Sequence, residues 1–160
     1  MASVTPFRGV RYNPQKVPDP SAVLAPPYDI IPPEQKDLLY ERHPANIVKI
    51  DFGKDHPGDD EAENRYTRAA SLLAAWMDEG LLIRDAKPAY YGYEVAYEMD
   101  GRPLFFRGLM ARVRIEPYEA GVVLPHEETH SKPKADRLNL LRATRANVSP
   151  IFSLYSSPRK

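Results

Sequence analysis

Apolar residues recur at intervals of three and four in three segments, the spacing that places them on one face of a helix. The longest such segment is 59–79, where acidic residues occupy the first turn and Gly80 follows as a stop. Its apolar stripe consists of Tyr66, Ala69, Leu72, Leu73, Trp76 and Met77. A second helix is predicted from Pro33–Glu34 to just before Pro44, and a third begins near Pro133. We expect Trp76 to lie in the core.

Alternation of apolar and polar residues predicts strands elsewhere in the chain. Two long strands flank Asp100–Gly101, a dipeptide typical of a tight hairpin turn. The other predicted strands are short, and they cover 6–12, 46–52, 122–124 and 149–155. One face of the hairpin carries Tyr91, Tyr93, Val95 and Tyr97. Such aromatic rows bind bases in some RNA-binding proteins, but cross-strand packing is the more common use.

This order of elements predicts one α+β domain over residues 1–160, with a mixed β-sheet and flanking helices. The segment 13–33 contains many of the 17 prolines of the chain, so it can form neither a helix nor a central strand. Because it also carries apolar residues such as Val23 and Ile31, we expect an ordered proline-rich loop that packs against the domain.

The composition excludes several classes of protein. The chain has no cysteine, and therefore no disulfide framework or thiolate metal site. It has no apolar run long enough to cross a bilayer, and its first residues do not resemble a secretory signal, so we expect a cytoplasmic protein without a membrane partner. The net charge is zero, which disfavours nucleic acid as a partner. Residues 125–160, however, carry 7 Lys or Arg against 3 Asp or Glu, which points to an anionic ligand in this part.

The stretch "LPHEETHSKPKADRL" (124–138) contains H-E-x-x-H, a pattern of zinc hydrolases, at His126–His130. In those enzymes the two histidines lie on one face of a helix. Here Pro125 and Pro133 leave room for hardly more than one turn, and no Glu or His follows as a third ligand. Zinc is therefore not expected, and the sequence predicts no metal ligated by these residues.

The same stretch fits a phosphate site better. A polar loop with His126, Glu127 and Thr129 leads into a helix whose start carries Lys132, Lys134 and Arg137. Cations at a helix N-terminus oppose the helix dipole, whereas a bound anion would interact favourably with the dipole and the free N–H groups. Asp136 and Glu127 could serve beside phosphates, one as a Mg²⁺ ligand and the other as a base. A solvent-exposed basic helix end is the alternative.

Four segments resemble a known family of bacterial and archaeal proteins, the domain of unknown function 1015. They are "PFRGVRYNP", "APPYDII", "HPANIVKIDF" and "VLPHEETHSKPKADRLNLLRATRANVSPIFSLY", which span nearly the whole chain. Six residues of the predicted phosphate site fall on the family pattern: His126, Glu127, Thr129, Lys134, Asp136 and Arg137. His130 does not fall on this pattern. The turn with Tyr28 and Asp29 does, so Tyr28 and Asp29 are second-tier site candidates, together with Lys132. Since family members are usually longer, we expect the chain to correspond to their N-terminal part.

The resemblance implies a ParB/sulfiredoxin-like fold. Proteins of that fold bind ATP, ADP or CTP through a polar loop that enters a helix, and some of them phosphorylate free L-serine. The chain lacks the glycine and paired arginines of characterised ParB-like proteins, so the nucleotide stays open.

Two main hypotheses follow. The first is a phosphotransferase that uses Mg²⁺ with ATP or ADP and a small hydroxyl acceptor such as free L-serine. Glu127, His126 and Asp136 would be catalytic, and Thr129, Lys134 and Arg137 would bind phosphate. Asp136 would either hold Mg²⁺ or orient Arg137. The second is a nucleotide- or anion-binding module without enzymatic activity that needs a C-terminal region or a partner. A nucleic-acid binder and a zinc hydrolase rank below both, and a homodimer is compatible with either.

Overall fold

A computed structural model describes residues 2–126, 128 and 130–155. Its strands are β1 (Val4–Thr5), β2 (Val10–Tyr12), β3 (Leu82–Arg84), β4 (Tyr91–Met99), β5 (Arg102–Met110) and β6 (Arg112–Val113). Its helices are α1 (Pro33–Arg42), α2 (Val48–Asp51), α3 (Arg65–Asp78) and α4 (Ser131–Thr144). Short 3₁₀ turns lie at Pro20–Ala22, Tyr28–Ile30 and Tyr118–Ala120. The predicted α+β class is confirmed.

The strands pair in twos among the described residues, as β1 with β6, β2 with β3 and β4 with β5. The sheet component is therefore a set of small sheets in place of one larger mixed sheet. The chain folds as two compact units: Met1–Arg11 with Ile83–Glu128 (unit 1), and Tyr12–Leu82 with Thr129–Lys160 (unit 2). That the whole chain acts as a single domain stays a prediction.

Unit 1 is built around the predicted hairpin. Strands β4 and β5 pair antiparallel from Tyr91 opposite Met110 to Met99 opposite Arg102. Both turn residues have positive φ, 53° at Asp100 and 71° at Gly101, as a two-residue turn of this kind requires. Tyr93 packs edge-on against Phe106 with ring centroids 6.2 Å apart, and this contact agrees with the packing interpretation of the aromatic row.

Gly9 in unit 1 lies directly against the phenol of Tyr91. The Gly9 N–H donates to Tyr91 Oη at 2.7 Å, and this hydroxyl donates to Asp85 Oδ2 at 2.7 Å. A Cβ at position 9 would lie 2.7 Å from Tyr91 Cζ and Oη. Tyr91 cannot move aside without losing both hydrogen bonds, so only glycine fits.

We therefore expect Gly9→Ala to lower the free energy of unfolding by about 1–3 kcal/mol, the usual cost of overpacking. Urea denaturation followed by far-UV circular dichroism measures this change. Gly92→Ala is the matched control, because a Cβ at position 92 meets no atom within 4 Å. Equal stability of the two variants would contradict the packing argument.

Unit 2 contains the four helices and the larger core. The core side chains are Val17, Val23, Ala45, Ile50, Ala69, Trp76, Leu82 and Leu140. The predicted core position of Trp76 is confirmed, since only 4% of it is exposed. Helix α3 packs against both α2 and α4.

The proline-rich segment packs into unit 2 through Val17 and Val23. The fully buried Asn46 holds it there: its Nδ2 donates to the carbonyl oxygens of Ala22 (2.9 Å) and Leu24 (3.2 Å). The backbone N–H of Ile47 adds a bond of 2.8 Å to the carbonyl of Val23. These bonds satisfy backbone groups of a segment that forms no ladder of its own.

The predicted strand 46–52 is wrong, because this segment forms the single turn α2. Asn46 Oδ1 accepts the N–H of Val48 at 3.0 Å, a local bond that starts a helical turn. A short apolar run fits both the spacing of a strand and that of a helix. Val48 and Ile50 are buried in the helical turn, as they would be in a strand.

The bounds of other predicted elements also change. Helix α3 begins at Arg65 and not at 59, because the side chain of Asn64 accepts the N–H groups of Tyr66 and Thr67 in a capping box. The predicted strand 6–12 is reduced to β2, with β1 before it. The predicted strands 122–124 and 149–155 are wrong, because the described residues there have no strand partner. The helices α1 and α4 are confirmed.

Candidate functional site

Asp136 lies in the second turn of α4 and is surrounded by donors of unit 2. Its Oδ1 accepts from Arg65 Nη2 at 2.7 Å and from the Tyr66 hydroxyl at 2.9 Å. Its Oδ2 accepts from Arg137 Nε at 2.8 Å and from Arg137 Nη2 at 2.5 Å. An ionised carboxylate offers about four lone-pair positions, so Asp136 is saturated.

Arg137 is saturated in the same way. Besides its two bonds to Asp136, Nη1 donates to Asp51 Oδ1 (2.7 Å) and Nη2 to the backbone carbonyl of Asp51 (2.8 Å). Nη1 also contacts Ser149 Oγ at 3.4 Å, and that hydroxyl donates to Asp51 Oδ1 at 2.6 Å. A guanidinium has five N–H donors, and five acceptor contacts surround this one.

Aromatic rings and a further cation flank the polar cluster formed by Asp51, Arg65, Tyr66, Asp136, Arg137 and Ser149. The guanidinium of Arg137 stacks over the ring of Tyr28 at 3.7 Å, and Tyr28 in turn lies 6.2 Å from the ring of Phe52. Lys36 Nζ lies 3.8 Å above the Phe52 ring and donates to the carbonyl of Gly53 at 3.1 Å. Burial, followed by the positive charge of Arg65, lowers the pKa of Lys36.

The space inside the cluster is small. A cavity of about 10 Å³ is lined by residues of α2, α3 and α4, including Asp51, Arg65, Asp136 and Arg137. This is the room that one water needs. A phosphate group is larger and does not fit between these side chains.

Asp136 does not fit the predicted role of a Mg²⁺ ligand in this arrangement. Magnesium requires a carboxylate oxygen with a free lone pair and a negative environment. All lone pairs of Asp136 are used, and the positively charged Arg65 and Arg137 contact it directly.

The start of α4 differs from this closed cluster. Its first turn contains no acidic residue, and the N-cap residue His130 makes no side-chain capping bond. Lys132 and Lys134 are exposed, and neither forms an ion pair with any residue that the structure describes. Free N–H groups therefore meet at this helix end with two cations that form no ion pair within the described part of the chain.

The other predicted site residues are spread over both units. His126 is exposed in unit 1, whereas Tyr28 and the exposed Asp29 form a 3₁₀ turn in unit 2. Glu127 and Thr129 lie outside the described residues. The roles assigned to these residues stay predictions. Among residues 2–126, 128 and 130–155, no three His, Asp or Glu side chains form a group that could hold a metal ion.

Four members of the cluster are absent from the set predicted from sequence: Asp51, Arg65, Tyr66 and Ser149. Their contacts join residues 70 to 98 positions apart, except for the adjacent Arg65–Tyr66 pair and for Ser149 and Arg137, which are 12 positions apart. The sequence predicts a strand at Asp51 and an amphipathic helix at Arg65 and Tyr66. No local signal links these positions.

Residues 4–160 match the family model described as protein of unknown function (DUF1015). The chain belongs to this family. No curated protein and no solved structure matches it. The predicted family resemblance is thereby confirmed, whereas the ParB/sulfiredoxin-like fold and the roles inferred from that fold stay predictions.

No helix in the described part of this DUF1015 protein is long and apolar enough to cross a membrane.

Proposed function

We propose that the start of α4 in unit 2 binds the phosphate groups of a nucleotide. The observation that carries this proposal is a pair of exposed lysines, Lys132 and Lys134, in a first turn without acidic residues. Neither lysine forms an ion pair with a residue that the structure describes. The N–H groups of Ser131 and Lys132 have no partner within the helix, because the first turn of any helix leaves its donors free. Backbone donors and cations at one helix end are a common combination for phosphate.

The local energetics support a ligand of this kind. Each lysine opposes the positive end of the helix dipole, by a few tenths of a kcal/mol. A bound phosphate would offset this cost, because its negative charge attracts both the lysines and the dipole.

The reaction that this binding would serve is phosphoryl transfer from ATP or ADP to a small hydroxyl acceptor such as free L-serine. The acceptor oxygen forms a bond to the terminal phosphorus while the bond to the bridging oxygen of the nucleotide breaks. The acceptor proton passes to Glu127, and the shortened nucleotide leaves. Asp136 has no metal-binding part in this proposal.

A second candidate is a nucleotide- or anion-binding module without transfer activity. The observation in its favour is that Asp136 and Arg137, both predicted for the site, are paired with each other, and that Arg137 is also paired with Asp51. In this case the lysines bind the anion and no chemical step follows.

The first test is calorimetric titration of the full chain with ATP, ADP, CTP and pyrophosphate. We expect the double variant Lys132→Met/Lys134→Met to bind at least tenfold more weakly than the unmodified protein, because a charge-assisted contact contributes about 1.5–3 kcal/mol. Arg142→Met is the matched control, since it removes an exposed cation from the same helix away from its start. Equal affinities of the double variant and the unmodified protein would rule out phosphate binding at this helix end.

The second test separates transfer from binding. Phosphoserine and nucleoside diphosphate are measured after incubation of free L-serine, ATP and magnesium with the protein or with Glu127→Gln. For the phosphotransferase we expect product from the unmodified protein, and retained nucleotide affinity without product from Glu127→Gln. Nucleotide binding without product from any hydroxyl acceptor would identify the binding module instead.

A further inference from the structure

Arg137 joins five separate segments of unit 2. Its guanidinium stacks on Tyr28 of the proline-rich segment and binds Asp51 at the end of α2. Through Asp136 it is linked to Arg65 and Tyr66 of α3, and Ser149 closes the cluster from the segment after α4.

We propose that Arg137 and Asp51 are positioning residues that hold the start of α4 in place, and that Arg137 does not itself contact the anion. This inference rests on the proposed phosphate-binding function of the α4 start. It assigns the predicted phosphate ligands to two groups: Lys132 and Lys134 contact the anion, and Arg137 fixes the helix that carries them.

The contacts of the guanidinium leave no place for a phosphate. Each of its N–H donors points at an acceptor within the protein, namely Asp136, Asp51 or Ser149. The Tyr28 ring covers one of its faces at 3.7 Å. An anion could bind the guanidinium bidentately only after displacing Asp136 or Asp51, which would deprive that carboxylate of its ion pair with Arg137 inside a half-buried cluster.

The start of α4 needs such an anchor, because its own sequence stabilises it poorly. His130 provides no capping bond, and the two lysines oppose the helix dipole. The bidentate grip of Arg137 on the side chain and the backbone carbonyl of Asp51 ties the next turn to α2. Lysine cannot reproduce this grip, because its ammonium is a point charge without the planar fork.

This difference between arginine and lysine provides the test. Hydrogen exchange of the backbone amides, read by mass spectrometry on peptides from 131–140 and from α3, is compared between the unmodified full-length protein and Arg137→Lys. We expect exchange at the start of α4 to become at least tenfold faster in Arg137→Lys, while the interior of α3 stays protected. We expect pyrophosphate affinity to fall in the same variant, although the positive charge is kept.

Two further variants complete the design. Lys134→Met is expected to weaken pyrophosphate binding without changing the exchange of α4. Ser149→Ala removes the longest contact of Arg137 and the hydroxyl bond to Asp51, but it leaves the Arg137–Asp51 and Arg137–Asp136 pairs in place. It should therefore accelerate exchange at the start of α4 less than Arg137→Lys does. If Arg137→Lys does not fold, Ser149→Ala takes its place in the test. The positioning role then requires that any faster amide exchange in Ser149→Ala be confined to α4. Unchanged exchange at the start of α4 in Arg137→Lys, or equal acceleration in α3 and α4, would overturn the positioning role. Failure of the unmodified protein to bind pyrophosphate, ATP, ADP or CTP would instead reject the proposed function, and the exchange data would still decide the role of Arg137.

Discussion

Replacing Asp136 with alanine is expected to lower the free energy of unfolding of unit 2 by about 2–4 kcal/mol. Removing one partner of a fully buried ion pair costs about 3–5 kcal/mol, because the remaining charge is left without compensation. The Asp136 side chain is 16% exposed, so water screens part of this loss. Arg65 and Arg137 would remain close to each other, with the Tyr66 hydroxyl deprived of its acceptor.

Urea denaturation followed by Trp76 fluorescence measures this effect, since Trp76 is the one tryptophan of the chain and is buried in unit 2. Asp78→Ala is a suitable control, because this exposed aspartate of α3 forms no ion pair with a described residue. A control of this type should change stability by no more than about 0.5 kcal/mol. If Asp136→Ala were equally neutral, the cluster would not stabilise the fold.

Replacing Trp76 with alanine is expected to have the largest effect on stability, and to lower the free energy of unfolding by about 3–5 kcal/mol. Trp76 is 4% exposed in the core and lies 6.4 Å from the ring of Tyr12, whose hydroxyl donates to the carbonyl of Ala45 at 2.8 Å. Its removal would leave a cavity between α3 and the segment that begins unit 2. Far-UV circular dichroism during urea denaturation is the appropriate measurement, because this variant lacks the fluorophore.

Trp76→Phe should lower the free energy of unfolding less than Trp76→Ala does, because the phenyl ring fills much of the cavity. Leu24→Ala is the control for loss of apolar side-chain volume at the surface, since Leu24 is 54% exposed in the same unit. A small loss in Trp76→Ala, similar to that of Leu24→Ala, would show that the core of unit 2 does not depend on this side chain.

Elements with strong local signals were predictable from sequence. The hairpin follows from Asp100–Gly101, since these residues tolerate the positive φ of its turn. Helices α1 and α4 follow from Pro33 and Pro133 near their starts and from the apolar spacing after them. In the segment 46–52 the same reasoning failed, because so short a run has too few apolar positions to distinguish the spacing of a helix from that of a strand. The side chain of the buried Asn46 decides for the helical turn by accepting the N–H of Val48.

The candidate site was predictable only in part. The charge pattern around Lys134 and Arg137 singled out the start of α4, and the family match covers this stretch. The charge pattern does not distinguish the role of Lys134 from that of Arg137, since both cations are suitable phosphate ligands by residue type. The structure distinguishes them: Lys134 is exposed, whereas Arg137 is bound by Asp51 and Asp136.

By itself, the sequence determined the α+β class, the hairpin, the longer helices, the family and the helix end at which an anion is expected. These properties depend on residues that are close together in the chain or on a pattern spread along it. Only the tertiary structure decided that Asp136 is saturated, that Arg137 is held by Asp51, and that Arg65, Tyr66 and Ser149 belong to the same cluster. The physical reason is that hydrogen bonds of under 3 Å between residues 70 or more positions apart depend on how the helices pack, and composition and spacing carry no record of that.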